Sequence, residues 1–448
     1  MEKGDEMNIS KIKNLNDLNK IIKKETIEKV SYYLSISLFI IPIFMFLINL
    51  IIPSETKTIW LTLVLLLGFF SLVNCFLYIY KNYNQFGKKY IINILKNNKY
   101  IVFLFLYIIC CFISCLFSSN KFISFFGSDY LSEGFICYLA YIGIFFNGLI
   151  SKNKGYLKNI LIYFIFTVSF ISVVTLISYY FNLNFNFIRN FTSIFMNENH
   201  YAYYLTMGLI CNACMFLFCN KKDISILYLI LYIINGHTLI LNNTLGCFLA
   251  FLCTLFLIFI YLVIVKQDFF KFLIIILITV ILCIINIKIV LPNFTQLTND
   301  VISIEENISN SGDIQKIYGV GTNRMGLWLV GLEFIKEKPI FGYGIDNLLD
   351  QYIRFNKSEI TSRPHNEYIQ IAATIGIPGL IFYLSFLLLL FFKIIFGIKK
   401  ISYLEITVVF IPITYLISAF FGVSTFNATP YLYLFLGLIG SIFVKKVI

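Results

Sequence analysis

Apolar residues run along the chain in long segments separated by short polar stretches, without the alternation of a half-buried strand. About 20 apolar residues are enough to cross a bilayer as a helix, and twelve segments approach or reach that length. They are 30–52, 59–80, 100–117, 135–150, 157–181, 200–219, 224–241, 244–265, 269–290, 375–398, 402–421 and 430–444. The pattern predicts an all-α polytopic membrane protein with about twelve transmembrane helices.

Two polar segments are longer than turns. Residues 1–29 carry apolar residues at helical spacing among lysines, which predicts a short amphipathic helix on the membrane surface; the alternative is a solvated tail. Residues 291–374 are too many for a structureless loop, so we expect helices within them. The predicted organisation is therefore a cytoplasmic N-terminal segment 1–29, spans 1–9 in 30–290, a large extracytoplasmic loop 291–374, and spans 10–12 in 375–448.

The basic residues predict which side each polar segment occupies. If the N-terminus is cytoplasmic, 24 of the 35 lysines and arginines fall in cytoplasmic segments and 4 in short segments on the opposite side. Cytoplasmic loops of membrane proteins carry such an excess. We therefore expect a multi-pass protein of the cytoplasmic membrane with both termini in the cytoplasm. The same clustering accounts for the net charge of +12 without a nucleic-acid partner.

Composition supports the membrane prediction and excludes a soluble globular enzyme. The chain is 59% hydrophobic and 13% charged, against about 25% charged in soluble domains. All eleven cysteines fall within apolar runs, where they behave as small hydrophobic residues. Cys211 and Cys214 have the spacing of a metal or redox motif, but no second ligand pair accompanies them.

Arginine and histidine concentrate on the predicted outer side, although lysine dominates elsewhere. These residues are Arg189, Arg324, Arg354, Arg363, His200, His237 and His365. An arginine offers a planar fork to two phosphate oxygens, which a lysine cannot do, so the arginines indicate a phosphate site; exposure of the loops alone is the alternative. The predicted membrane interior is nearly free of charge, which disfavours an ion-coupled transporter.

The long loop contains two local patterns. A helix is predicted to begin at Arg324 and to include Trp328, with Thr322 or Asn323 as its cap. Gly342 and Gly344, two residues apart, then allow a tight turn and close backbone approach.

Two carboxylates follow in the same loop, Asp346 and Glu367. Neither belongs to a convincing metal-ligand cluster, and we expect both to be capping or surface residues.

His365 lies directly before the tenth predicted span. Pro364 favours a helix start there, with Ser362 or Arg363 near the cap, so His365 is expected in the first turn. The positive end of the helix dipole disfavours imidazolium, and a neutral imidazole can act as a general base. The alternative for a single histidine is an interface residue that makes one structural hydrogen bond.

Two further polar patterns flank predicted spans on the outer side. Asn197 and Asn199 precede His200 at the start of the sixth span. Asn243 and Thr244 form a short polar turn between the seventh and eighth spans, where a plain hairpin loop is the alternative.

Taken in order, these motifs resemble the O-antigen ligase and polymerase superfamily of membrane glycosyltransferases. The resemblance spans about residues 185–390. The motifs that carry it are Asn197 to His200, Asn243 to Gly246, Arg324 with Trp328, Gly342 with Gly344, His365 with Asn366, and Gly376 with Gly379. The sequence departs from the family at Leu245, where members often have an arginine between Ser and Gly; Arg363 or Arg354 is the expected substitute.

The resemblance implies a mechanism and a set of partners. The donor would be an undecaprenyl diphosphate-linked oligosaccharide in an outward-facing cavity, and the bilayer and other polysaccharide assembly proteins would be further partners. His365 would accept the proton of an acceptor hydroxyl, without a metal ion or cofactor. The diphosphate would be stabilised by Arg189, Arg324 and Arg363. Substrate binding or support would come from Asn199, His200, Asn243, Thr244, Trp328, Gly342, Gly344 and Asn366.

The motifs leave the acceptor open. A polymerase adds the glycan to another lipid-linked repeat unit, whereas a ligase transfers it to a lipid or protein. The lysine- and asparagine-rich composition is typical of a low-GC bacterium. Such a bacterium without lipopolysaccharide would use a polymerase, so the composition favours a polymerase weakly. A flippase for lipid-linked oligosaccharides and a non-catalytic scaffold are more remote alternatives. A flippase should carry charged side chains at mid-membrane.

Overall fold

The structure is a computed structural model that describes residues 23–151, 153–183, 191–310, 319–321, 323–354 and 363–444. All regular secondary structure in these ranges is helical, which confirms the all-α prediction. An amphipathic helix is predicted within residues 1–29. Residues 1–22 of that segment lie outside the described residues. From Lys24 onwards the chain already belongs to the first long helix.

The described residues form eighteen α-helices. The eight up to the middle of the chain are α1 (Lys24–Ile51), α2 (Thr56–Phe86), α3 (Lys88–Asn97), α4 (Lys99–Phe117), α5 (Lys121–Phe126), α6 (Phe135–Ile150), α7 (Lys154–Tyr180) and α8 (Glu198–Phe218). The remaining ten are α9 (Lys222–Asn242), α10 (Leu245–Val265), α11 (Phe270–Ile285), α12 (Ile287–Asn310), α13 (Arg324–Glu337), α14 (Leu349–Arg354), α15 (Glu367–Ile375), α16 (Ile377–Gly397), α17 (Tyr403–Ser418) and α18 (Thr429–Val444).

The prediction of about twelve membrane spans is not confirmed in its exact number. Among the described residues, nine helices are long and apolar enough to cross a bilayer, or ten if α11 and α12 count as one bent span. The helices α6 and α18 overlap two predicted spans, but each has only 16 residues. The protein is therefore a multi-pass membrane protein in which each predicted segment overlaps a helix, and the count of twelve is not confirmed.

The ninth predicted span, 269–290, is broken. The helices α11 and α12 meet at an angle of 95°, with Asn286 between them. The Nδ2 of Asn286 donates to the Leu282 carbonyl at 2.8 Å and lies 3.1 Å from Nδ1 of His237. A side-chain amide that competes for backbone groups interrupts the regular hydrogen bonding of a helix.

The bundle has two ends. We call the end that carries α13, α14 and α15 the loop face, and the opposite end the lysine face. At the lysine face, Lys393 donates to the side chain of Asn98 at 2.8 Å and Lys271 to the Phe216 carbonyl at 3.2 Å.

Small residues let the central helices approach closely. A Cβ added to Gly148 or Gly437 would lie within 2.4 Å of the backbone of the facing helix, so α6 and α18 touch backbone to backbone. The same holds for Gly68 and Gly143, which bring α2 against α6. Helices in membranes associate through such small-residue contacts because apolar burial gives little driving force there. The short helix α6 is therefore held at the centre of the bundle.

The helices α13, α14 and α15 form a cap on the loop face. The cap has its own apolar cluster, made by Leu327, Val330, Phe334, Tyr343, Leu348, Tyr352 and Ala373. The hydroxyl of Tyr352 donates to the Leu327 carbonyl at 3.1 Å, which joins α14 to α13. The helices expected within the long loop are present, and they hold the segment that contains His365 against the bundle.

Candidate functional site

The segment before α15 presents His365 from a bend and not from a helix. The helix begins at Glu367, and its cap is Asn366, whose Oδ1 accepts hydrogen bonds from the amides of Tyr368 and Ile369. The expectation that Pro364 starts the helix and that His365 lies in its first turn is therefore wrong. Asparagine is among the best N-cap residues, and the side chain of Asn366 sets the start of the helix after His365.

His365 has a left-handed backbone, with φ of 52°. No described residue forms a hydrogen bond with its partly buried imidazole. Burial, followed by the charges of Arg324 and Arg363, lowers the pKa of His365 to about 4. The imidazole is therefore neutral near pH 7, with a ring nitrogen available to accept a proton.

Arg324 begins α13 and approaches His365 from the cap. Asn323 precedes it with a left-handed φ of 66° and makes no capping hydrogen bond, so the predicted cap at Asn323 is wrong, and Thr322 lies outside the described residues. Burial lowers the pKa of Arg324, which is partly offset by Tyr203, and a guanidinium remains charged under such conditions. One turn later, the indole Nε1 of Trp328 is buried without a hydrogen-bond partner among the described residues.

Arg363 is buried and paired with a carboxylate that the sequence analysis did not select. One of its guanidinium nitrogens lies 3.6 Å from Oε2 of Glu133, and another donates to the Ser424 carbonyl. Glu133 also accepts hydrogen bonds from the hydroxyls of Tyr141 at 2.6 Å and Ser424 at 2.9 Å. Arg363 therefore ties the cap to the connections before α6 and α18, and it interacts with His365 from that position.

Asp346 and Glu367 are buried, so the expectation that they are surface or capping residues is wrong. Asp346 accepts hydrogen bonds from the amide and hydroxyl of Ser128, at 2.7 Å and 3.0 Å, and from the amide of Glu133. Burial, followed by the charge of Glu133 nearby, raises the pKa of Glu367 to about 8. A neutral Glu367 leaves Arg363 to balance the charge of Glu133.

His200 lies beside His365 at the start of α8. The cap of α8 is Asn197, whose Oδ1 accepts from the amide of Asn199 at 2.8 Å, so the predicted helix start is confirmed. The imidazole of His200 interacts with the Phe195 backbone and lies within electrostatic range of Arg363 and His365. The structure thus brings together His200, Arg324, Arg363 and His365, which we call the histidine–arginine site.

The two glycines of the long loop serve the fold of the cap. The amides of Tyr343 and Gly344 donate to the carbonyls of Ala373 and Thr374 at the end of α15, both at 2.9 Å. Gly342 and Gly344 both have positive φ, and a Cβ on Gly342 would lie 2.3 Å from the Thr374 backbone. The predicted tight turn is present. Its backbone lies close to the C-terminal end of α15.

The remaining predicted site residues are dispersed. Asn243 has a left-handed backbone at the end of α9 and accepts from Asn293 at 2.6 Å, while the Thr244 hydroxyl donates to Asn242 at 2.6 Å. Arg354 pairs with Glu337 at 2.5 Å on the exposed side of the cap. Arg189 lies outside the described residues.

Glu133 is the residue of this site that sequence reasoning missed. A signal was available, because Glu133 lies in a short polar connection on the same predicted side as the arginines. A buried arginine requires an anionic partner, and several carboxylates occur on that side. The sequence could not show which of them Arg363 would meet.

The arrangement supplies a neutral base within electrostatic range of two cations. Such a set can take a proton from a hydroxyl while the cations stabilise an anionic leaving group. Among the described residues, no group of three or more histidine, cysteine, aspartate or glutamate side chains is placed to hold a metal ion.

Comparison with known proteins gives one match. The family described as O-antigen ligase matches residues 227–384, from within α9 to within α16, which includes Arg324, Arg363 and His365. Neither the curated proteins nor the solved structures gave a match. The match confirms the resemblance that the motifs carried: residues 227–384 are similar to the O-antigen ligase family, which supports the O-antigen ligase and polymerase superfamily.

Proposed function

We propose that this protein is a metal-independent membrane glycosyltransferase that uses undecaprenyl diphosphate-linked glycans and polymerises polysaccharide repeat units. The observation that carries the proposal is the convergence of His365, Arg324 and Arg363 on the loop face, within the region that matches the ligase family. A neutral imidazole beside two cations suits the reaction of a neutral hydroxyl with a diphosphate donor.

In the proposed reaction, His365 accepts the proton of an acceptor hydroxyl. The acceptor oxygen forms a bond to the anomeric carbon as the bond from that carbon to the diphosphate oxygen breaks. The departing diphosphate keeps the electron pair, and Arg324 stabilises its charge. Arg363 acts on His365 through its charge and is held by Glu133, so it contributes a fixed positive potential. Asn366 orients His365 through the helix cap.

The proposed location is the cytoplasmic membrane, with the loop face outward and both termini in the cytoplasm. This placement rests on the excess of lysine at the opposite end of the bundle. A lipid-linked donor would then reach the histidine–arginine site from the membrane.

The second candidate is transfer of the glycan to a lipid or protein acceptor, which the description of the matching family favours. The same residues would perform both reactions, since only the acceptor differs. Between the two reactions, the lysine- and asparagine-rich composition weakly favours polymerisation.

The test is a glycan profile of cells that lack the protein, complemented by wild type or by His365→Ala. For a polymerase, single lipid-linked repeats accumulate and long chains disappear in both the deletion strain and the mutant. Long lipid-linked chains that fail to reach their final acceptor indicate a ligase instead. A wild-type profile with His365→Ala would contradict the assignment of the base and favour transport.

A further inference from the structure

A cavity separate from the cap opens on the loop face between α7, α8 and α9. Its volume is about 300 Å³. The polar and aromatic residues that line it are Thr175, Tyr179, Phe191, Glu198, Asn242 and Asn243. Small-molecule sites have volumes of about 300–1,000 Å³, so this cavity has room for one small ring.

The walls of the cavity are held by hydrogen bonds within the protein. The amide of Asn242 donates to the carbonyls of Phe191 at 3.0 Å and Glu198 at 3.2 Å, and its oxygen accepts from Thr244. The rings of Tyr179 and Phe191 lie 4.7 Å apart at 47°. The cavity is therefore preorganised.

One polar group of the cavity is not used by the fold. The carboxylate of Glu198 accepts no hydrogen bond and forms no ion pair with any of the residues that the structure describes. A carboxylate presents only acceptors, so its preferred neutral partners are hydroxyl donors. It repels a diphosphate.

We infer that this cavity is a sugar subsite in which Glu198 accepts hydrogen bonds from ring hydroxyls while Tyr179 and Phe191 pack against the apolar face of the ring. The inference rests on the proposed function and deepens it. A single hexose ring suits both the volume and the mixture of aromatic and acceptor groups.

The cavity and the histidine–arginine site are both next to the first turn of α8. Glu198 lies two residues before His200, which interacts with His365 and Arg363. Side chains two residues apart on a helix point to different sides, so the cavity and the histidine–arginine site lie on different sides of α8.

Binding can be measured without turnover. Wild-type protein in lipid nanodiscs would be titrated, by saturation-transfer NMR, with glucose, galactose, N-acetylglucosamine, N-acetylgalactosamine and glucosamine. We expect at least one neutral sugar to bind, and we expect Glu198→Gln to weaken that binding about tenfold, since hydrogen bonds to a charged acceptor are the stronger ones. Tyr179→Ala should also weaken it. The control is Glu333→Gln, which changes an exposed carboxylate on α13 and should leave binding unchanged.

Three outcomes would overturn the inference: no neutral sugar binds, Glu198→Gln binds as wild type does, or only the cationic glucosamine binds. The glycan profile separates this failure from that of the proposed function. If His365→Ala abolishes transfer but Glu198→Gln leaves the KM for the lipid-linked glycan unchanged, the enzyme assignment stands and the subsite is wrong. If sugars bind through Glu198 but His365→Ala leaves the profile unchanged, the transfer mechanism is wrong and the cavity remains a sugar site.

Discussion

His365 owes its neutral state to its surroundings in the folded protein. The sequence suggested the dipole of a helix, but His365 precedes that helix, and the lowered pKa comes from burial and from Arg324 and Arg363. The expected protonation state was therefore reached for the wrong reason. The difference matters because burial and two arginine side chains, and not a helix end, control the protonation state of the base.

The first prediction concerns pH. If neutral His365 is the base, activity should persist as the pH falls below 6.5 and decline only near pH 4, because the folded-state pKa is lowered to about 4. Arg324→Gln removes a charge that lowers this pKa, so the acidic decline should move to higher pH. The same change should reduce kcat by about 10²–10³, the usual loss for a transition-state donor. The measurement is a pH–rate profile of both proteins.

Arg324→Lys serves as the control for this prediction. It keeps the positive charge and should keep the acidic decline near its original pH, while the loss of the planar fork reduces kcat. An unchanged pH profile in Arg324→Gln would contradict the proposed coupling.

A second prediction concerns the buried pair of Glu133 and Arg363. Glu133→Ala should destabilise the protein by about 3–5 kcal/mol, because Arg363 would then be buried without its carboxylate. Glu133→Ala combined with Arg363→Met should recover part of the loss. Thermal unfolding in nanodiscs measures both. Equal stability of wild type and the single variant would show that the pair contributes nothing.

At the scale of elements, two helices of the cap, α13 and α15, meet in a close contact. Gly331 of α13 faces α15, where an added Cβ would lie 2.7 Å from Cγ2 of Ile369 and 3.4 Å from Pro364. The contact fixes α13, and with it Arg324, relative to the segment that contains His365. Glycine in the interior of a helix lowers its stability, and the close contact with α15 accounts for a glycine at this position.

A third prediction follows from this contact. Gly331→Ala should push α13 away from α15 and lower activity, at a cost in stability of about 1–3 kcal/mol for overpacking. Ile369→Ala removes the methyl group in contact, so the double variant should recover activity relative to Gly331→Ala alone. Transfer assays of the single and double variants test this coupling. Additive losses would indicate that the two helices do not position the site together.

At the scale of the whole molecule, the bundle has two chemically different ends. Lys271 and Lys393 lie at one end, and the buried ionisable groups of Glu133, Asp346, Arg363 and Glu367 lie at the other, near Lys57. The two ends suit different environments, since anionic lipid and the cytoplasm favour lysine. A site for a lipid-linked substrate belongs at the opposite end.

The fourth prediction is the orientation itself. A green fluorescent protein fused to the C-terminus should fluoresce, and an alkaline phosphatase at the same position should be inactive, because the C-terminus is predicted to be cytoplasmic. A phosphatase fused after Tyr343, within the cap, should be active. The reversed pattern would place the histidine–arginine site in the cytoplasm and contradict the use of an exported donor.

The sequence alone determined the membrane class, the approximate helix positions and the ligase-like motifs. Apolar length decides whether a segment can cross a bilayer, and no tertiary contact is needed for that. The helix start near His200 was also readable, because the capping asparagine is local.

Only the tertiary structure decided how the site is built. The pairing of Arg363 with Glu133 joins residues 230 positions apart, and the burial of Asp346 and Glu367 depends on how the cap docks on the bundle. The break at Asn286 likewise depends on a side chain that meets His237 of another helix. Charge pairing and burial are properties of packed neighbours, and neighbours distant in sequence cannot be read from local pattern.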